Sequence, residues 1–258
     1  MFFKIINLKK FICCILVLIS ILSFSQKKTL KKISAAIPPK NNNTSPVKKE
    51  SDLVVINENV PLLIPKKSQD KYGYINQRGK TVIQPEYNIA MFFSEDCNLL
   101  NSPSPKAKKF GTSAFATVEK NGIGYRISTS GKRVYQYKDS DLGTCKNAYA
   151  NPLFHAYILN GYYGIIEDAV FESAGYRQYK IYPDYQYLYV LEGNDPANPM
   201  IIASRKDKFG VIDINNKIII PFEYADIKRN YSWKLGKMFE VTKDNQNYFY
   251  IDSNNKAY

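Results

Sequence analysis

The sequence is poor in the residues that most enzyme chemistry relies on. Its 258 residues hold a single histidine, His155, and a single tryptophan, Trp233. His155 has no second ligand at metal-binding spacing in its neighbourhood and reads as a packed or hydrogen-bonded residue. No Gly-x-Ser-x-Gly elbow occurs, which removes one common hydrolase signature. Gly122-Ile-Gly124 begins like a phosphate loop and lacks the third glycine, and the run Asp213 to Lys217 lacks the later carboxylate of a calcium loop. No cofactor is implied. Of four cysteines, Cys13 and Cys14 fall in the N-terminal apolar run, leaving Cys97 and Cys145. In an exported protein these two can pair; the alternative is a pair of free thiols or apolar fillers.

Long apolar runs are also missing. The longest, Phe11 to Phe24, has 14 residues, short of the roughly 20 that cross a bilayer as a helix. Lys4, Lys9 and Lys10 precede it and Ser23-Phe24-Ser25 ends it, so residues 1–25 read as a signal peptide cleaved before Gln26. The expected address is secreted or periplasmic. Lys27, Lys28, Lys31 and Lys32 argue for the alternative of an uncleaved membrane anchor, since basic residues there resist export. Cys13 and Cys14 stand at the start of the apolar run, not behind it, which argues against lipidation. Residues 26–69 are rich in Pro, Asn and Lys and read as a mobile linker, with Val60 to Pro65 as a possible closing strand. The formal charge of +13 is mostly N-terminal: +3 from the leader lysines and a net +5 from residues 26–52. The mildly basic remainder carries no nucleic-acid motif, so a nucleic-acid partner is not expected. The linker could still lie against anionic lipid or envelope polymer, or act as a charged spacer.

What the chain does have is repetition. Asp70–Tyr87 (DKYGYINQRGKTVIQPEY) returns as Asp207–Tyr224 (DKFGVIDINNKIIIPFEY). Tyr72, Tyr74 and Ile75, then Val82 and Ile83, suit two short strands. Asn76 or Asp213 opens the turn between them, and Gly79 or Asn216 takes the left-handed position that closes it. Pro85 and Pro221 are expected to end the second strand. Gly73 and Gly210, each behind an aromatic, mark a close approach of a neighbouring backbone or ring. Weaker copies keep Gly124 and Gly131, Gly164, and a Pro-x-Tyr ending at Tyr185; a fifth runs from Lys243 to Lys256 and stops just after its turn. The glycines at 73, 124, 164 and 210 are 51, 40 and 46 residues apart, a period that suits one small antiparallel sheet per unit.

An aromatic-Gly pair, two apolar residues, Asn or Asp, a Gly-Lys turn, and x-Pro-x-Tyr resemble the WG-containing repeat, also called the KWG repeat, found in many bacterial proteins. The resemblance runs from about Asp70 to the C-terminus in about five units. The namesake Trp is replaced by Tyr72, Ile123, Tyr163, Phe209 and Tyr248. It implies an all-β fold of repeated hairpins or small sheets, propeller-like or an open array, with an interaction surface and no catalytic residues. In the closed form, Val60 to Pro65 would complete the fifth sheet.

Aromatic residues supply the clearest binding signal. Tyr185, Tyr187 and Tyr189 alternate, so on one strand they would share a face, either exposed for stacking on sugar or protein or buried as a seam between sheets. Trp233, expected in a loop, is a second candidate contact. Two functions are carried forward: a non-enzymatic module binding a protein or glycan of the cell envelope, and an envelope glycan hydrolase in which residues such as Glu167, Asp168 and Asp213 converge.

Overall fold

The repeat's first hairpin is built as its residues dictate. Strands β2 (Lys71–Asn76) and β3 (Thr81–Tyr87) are joined by a turn in which the Asn76 side chain accepts the amides of Arg78 and Lys80, each at 3.0 Å. Gly79 closes the turn at φ +80°. Asp213 does the same for the amides of Asn215 and Lys217, both at 2.9 Å, with Asn216 at φ +64°. Asp252 and Asn255 repeat it, and Gly131 at φ +81° follows Ser128 in a turn of the same length.

The computed structural model describes residues 52–145, 153–171 and 178–258, all within the unit spanning Lys49–Tyr258. The leader and most of the linker lie outside the described residues. Five small antiparallel sheets follow one another, each a run of strands in chain order. The first holds β1 (Leu63–Ser68), β2 and β3; the second holds β4 (Ile89–Phe93), β5 (Ala116–Lys120), β6 (Ile123–Ile127) and β7 (Arg133–Gln136). The third holds β8 (Phe154–Leu159), β9 (Tyr162–Glu167) and β10 (Ile181–Tyr185). The fourth holds β11 (Tyr187–Val190), β12 (Met200–Arg205), β13 (Lys208–Asp213) and β14 (Ile218–Tyr224); the fifth holds β15 (Asp226–Ile227), β16 (Phe239–Thr242) and β17 (Tyr248–Ile251). Among the described residues no closed barrel forms, and the fold is an all-β array of repeated small sheets.

Opposite each aromatic-Gly pair the partner strand bulges. Between the pairs Tyr72↔Tyr87 and Tyr74↔Ile83, three residues of β3 face one residue of β2, namely Gly73. A Cβ there would lie 2.7 Å from the Pro85 nitrogen. Gly164 and Gly210 meet the same bulge, with the Ile181 and Ile220 carbonyls 2.6 Å from a built Cβ. In the second sheet the Tyr137 ring fills the space over Gly124 instead. Pro85 and Pro221 therefore do not end their strands: each sits in a bulge, where no ladder amide is needed, and the strand continues to Tyr87 or Tyr224.

Those terminal tyrosines are the joints of the molecule. A single residue, Asn88, Gln186 or Ala225, separates β3 from β4, β10 from β11 and β14 from β15, and its amide already bonds the next sheet at 2.8–2.9 Å, on the carbonyl of Glu119, Ser204 or Thr242. Tyr87, Tyr185 and Tyr224 are buried at these elbows. Tyr87 packs on Val118 and Ile127, Tyr185 on Ile201 and Ile212, and Tyr224 on Phe239 and Ile251, so the cores lie between successive sheets. The acid before each tyrosine crosses the same joint. Glu86 pairs with Lys120 and Arg133, Asp184 with Arg205, and Glu223 with Lys243. The last sheet also meets the first two, through Ile64, Ile75, Phe92 and Met238.

The linker expected to run to Gln69 gives way to folded chain well before that point. Buried Gln77 accepts the amides of Ile56 and Asn57 at 2.7 and 2.8 Å and donates to the Val60 carbonyl at 2.6 Å. The expected closing strand also pairs elsewhere. Leu63–Ser68 lies along β2 from Leu63↔Asn76 to Ser68↔Lys71, in the first sheet and not the fifth. Burial of Leu63 and Ile64 on the first sheet fixes that register. Among the described residues no helix is long and apolar enough to cross a membrane.

The longest excursion, residues 94–115, carries α1 (Cys97–Leu100) and α2 (Pro105–Lys108). It is tied to the second sheet by Arg126, which is 1% exposed. This guanidinium donates to the carbonyls of Phe110 (2.7 Å), Ser94 (3.0 Å), Thr112 (2.8 Å) and Phe115 (2.9 Å) and to the Thr117 hydroxyl (2.6 Å). A disulfide joins Cys97 to Cys145, with Cα atoms 5.5 Å apart.

Candidate functional site

The tyrosine row of the sequence is broken by an elbow. Tyr185 ends β10 and is buried, its hydroxyl donating to Asn216 Oδ1 at 2.5 Å. Tyr187 starts β11 in the next sheet, between the rings of Tyr163 and Phe209 and beneath Arg229, which donates to its hydroxyl at 2.9 Å. Only Tyr189 is exposed, at 41%. Tyr187 and Tyr189 share a face of β11, but Tyr185 does not share it, because the strand expected to carry all three changes sheets at Gln186. Trp233 lies in the short helix α4 (Ser232–Gly236), not in a loop, and stacks flat on Phe239 at 4.7 Å. It packs, partly buried, against the core between the fourth and fifth sheets. The acids of the hydrolase reading are engaged separately: Glu167 with Lys180 at 3.6 Å, Asp168 with His155 at 2.6 Å, and Asp213 in its turn. No group of three His, Cys, Asp or Glu that could hold a metal occurs among the described residues.

A groove lies instead where the last sheet meets the first two. One wall is β4 with the residue before it, from Asn88 to Phe92; the other is the segment from Lys228 to Leu235 with Glu240 and Tyr250. The cavity measures about 280 Å³. β4 pairs with β5 alone, which leaves Ile89 and Met91 facing the groove, 48% and 38% exposed. Tyr231, 56% exposed, stands at the rim.

The floor is polar. Lys228 Nζ contacts Glu240 Oε1 at 2.5 Å, and Asn230 Nδ2 donates to Glu240 Oε2 at 2.7 Å. These residues meet because the Lys228 amide bonds the Glu240 carbonyl, extending the β15–β16 ladder by one residue. Lys228 Nζ also lies 4.2 Å from the centre of the Tyr248 ring. Burial pushes the Tyr250 phenol well above its ordinary ionisation range, and Glu240 and Tyr72 push it further, so it stays a hydrogen-bond donor. The Tyr250 and Tyr72 side chains both line the cavity.

Tyr72, Lys228, Glu240 and Tyr250 also line a smaller cavity of about 90 Å³ on the other side. That one leads to an open cleft of about 640 Å³ between β1 and β17, flanked by Lys66, Lys67, Tyr248 and Phe249. The three cavities adjoin, share wall residues and form a segmented trough with aromatic sides. Its members were not apparent in the sequence, since β4 and the 228–240 segment are more than a hundred residues apart. The local signal was the exposed aromatic within the polar run Asn230-Tyr-Ser.

The model of the WG containing repeat matches residues 72–97 and 209–245. No curated protein matches the chain. A solved chain described as the eukaryotic initiation factor is similar over 76% of this chain and 51% of its own, at 10% identity and a TM-score of 0.29. The present chain thus spans about half of that one's length, and a likeness at this level carries no argument about function. The two matched segments contain Tyr72-Gly73 with its bulge and Phe209-Gly210 with its own, the same structural unit twice, and over these segments the chain is similar to the WG containing repeat.

Proposed function

We propose that this protein is an exported, non-enzymatic β-repeat module that binds a protein or glycan of the bacterial cell envelope. The observation that carries the reading is the trough along the seam between the last sheet and the first two. It is open, sided by Tyr72, Tyr231, Tyr248 and Tyr250, and floored by hydrogen-bonding groups held in fixed positions. Aromatic rings with polar tips give large contact area at low entropic cost. Clefts between packed elements are the usual place for ligands. Export rests on the leader pattern of residues 1–25, and the bacterial setting on the repeat family.

The test is retention of the immobilised full chain on envelope fractions, before and after protease or glycosidase treatment, with Tyr231→Ala as the trough variant. The expected result is stable retention that one treatment abolishes, that Tyr231→Ala weakens, and that proceeds without turnover. Release of soluble sugar during incubation, or retention indifferent to Tyr231→Ala, overturns the proposal.

A further inference from the structure

We infer that the 280 Å³ cavity between β4 and α4 is a subsite for one neutral, N-acetylated sugar unit of a glycan chain. This rests on the binding-module reading above and specifies its ligand. Charge decides the first part. The only ionic residues lining the cavity are Lys228 and Glu240, which neutralise each other at 2.5 Å, so the site offers no net attraction to an anionic or cationic ligand.

Size decides the second. Small-molecule sites run from roughly 300 to 1,000 Å³, and a cavity of about 280 Å³ lies at their lower edge. It holds one ring.

The arrangement of polar and apolar groups decides the third. Glu240 has both oxygens engaged, by Lys228 and Asn230, and each oxygen keeps a second lone pair. Lys228 and the side-chain Nδ2 of Asn88 supply donors. The phenols of Tyr72 and Tyr250, which line the cavity, can each donate and accept. A sugar ring, which presents hydroxyls around its whole edge, can use groups so placed. A peptide would instead have to pair along the unpaired edge of β4, the mode that peptide displacement detects. Ile89, Met91 and Leu235 form the apolar side of the same cavity, where the methyl of an acetamido group would be desolvated, and Tyr231 at the rim offers a face for stacking.

The experiment titrates the full chain with three neutral or charged trisaccharides: an N-acetylglucosamine trimer, a glucose trimer and a glucuronate trimer, followed by calorimetry and by NMR of the acetamido methyl. The N-acetylated trimer is expected to bind about tenfold more tightly than either other, a difference of about 1.4 kcal/mol. Tyr231→Ala should weaken it by about tenfold or more, while Tyr189→Ala, an exposed tyrosine outside the trough, leaves it unchanged. Equal binding of all three, binding insensitive to Tyr231→Ala, or displacement of the trimer by a neutral apolar peptide at lower concentration overturns the inference. If no trimer binds but envelope retention still depends on Tyr231, the subsite assignment falls and the binding module stands. If retention is lost as well, both fall.

Discussion

The Tyr224 hydroxyl donates to Asn255 Oδ1 at 2.6 Å across the joint between the fourth and fifth sheets. Tyr185 makes the same bond to Asn216 across the joint between the third and fourth, and both pairs are 31 residues apart. In each, the acceptor is the left-handed residue of the next sheet's turn, so one Asn closes its own hairpin and receives the neighbour's tyrosine. At the first joint that turn position is Gly131, which has no side chain. The Tyr87 hydroxyl is accordingly buried without a hydrogen-bond partner.

This difference predicts opposite responses to one chemical change. Tyr224→Phe and Tyr185→Phe each remove a made hydrogen bond and should cost about 1 kcal/mol. Tyr87→Phe removes a buried hydroxyl that is unpaired, and should be neutral or stabilising by a few tenths of a kcal/mol. Urea denaturation of the three variants measures this, and an equal loss in all three would contradict it.

Gly73 has no room for a methyl group, since the bulge at Pro85 lies across it. Gly73→Ala should therefore cost about 2 kcal/mol or more. Gly79→Ala meets no atom within 4 Å but must hold φ +80°, at about 1 to 2 kcal/mol. Thermal denaturation ranks the two, and the first should be the larger.

Arg126 satisfies four carbonyls that face inward from the 94–115 excursion. Arg126→Met leaves them without donors and is expected to cost about 3 kcal/mol or more, with new protease cleavage confined to residues 94–115. Mapping by limited proteolysis and mass spectrometry checks the position. Arg126→Lys should rescue little, because one ammonium cannot reach donors spread over the guanidinium fork.

The Lys120 ammonium beside Glu86, with Arg133, holds that carboxyl down to about 2 from an ordinary 4.5. A depressed carboxyl adds stability above its unfolded value and loses it as pH falls toward the folded one. Glu86→Gln should therefore be less stable than wild type at pH 6, and the two should converge as pH falls from 4.5 to about 2. The effect is small because the pair is solvent-exposed. Urea midpoints at pH 6 and pH 2.5 give the comparison; a gap that widens in acid would be the wrong sign.

Reduction of Cys97–Cys145, which spans 48 residues, should lower stability by roughly 4 kcal/mol on the loop-entropy estimate. The mass rises by two hydrogens with reductant, and the melting temperature falls. Cys97→Ser should match the reduced protein.

Much of the fold was legible because single residues encode it. Gly79, Gly131 and Asn216 announce left-handed turns, and an aromatic-Gly pair announces a backbone crossing close by. Pro85 misled because loss of an amide ends a regular ladder but costs nothing inside a bulge. Tyr185, Tyr187 and Tyr189 misled because alternation specifies a face only while the strand stays in one sheet, and nothing local marks Gln186 as the residue where it leaves. The acids at 86, 184 and 223 did carry a signal, one charge in the same place before each elbow tyrosine, but their partners lie 20 to 47 residues away on the next sheet. The trough was least legible of all, since its walls meet only when the ends of the array come together.

At the three one-residue elbows the chain has no slack, so around those joints it gains length inside the sheets. Residues 94–115, 191–199 and 228–238 all fall between the first and second strands of a sheet. The last of these brings Asn230 and Tyr231 to the trough. On the binding-module proposal, the 228–238 segment is an insertion that can be exchanged while the elbow before it keeps its spacing, and a chimera that receives another protein's segment is expected to keep this scaffold and change its ligand preference.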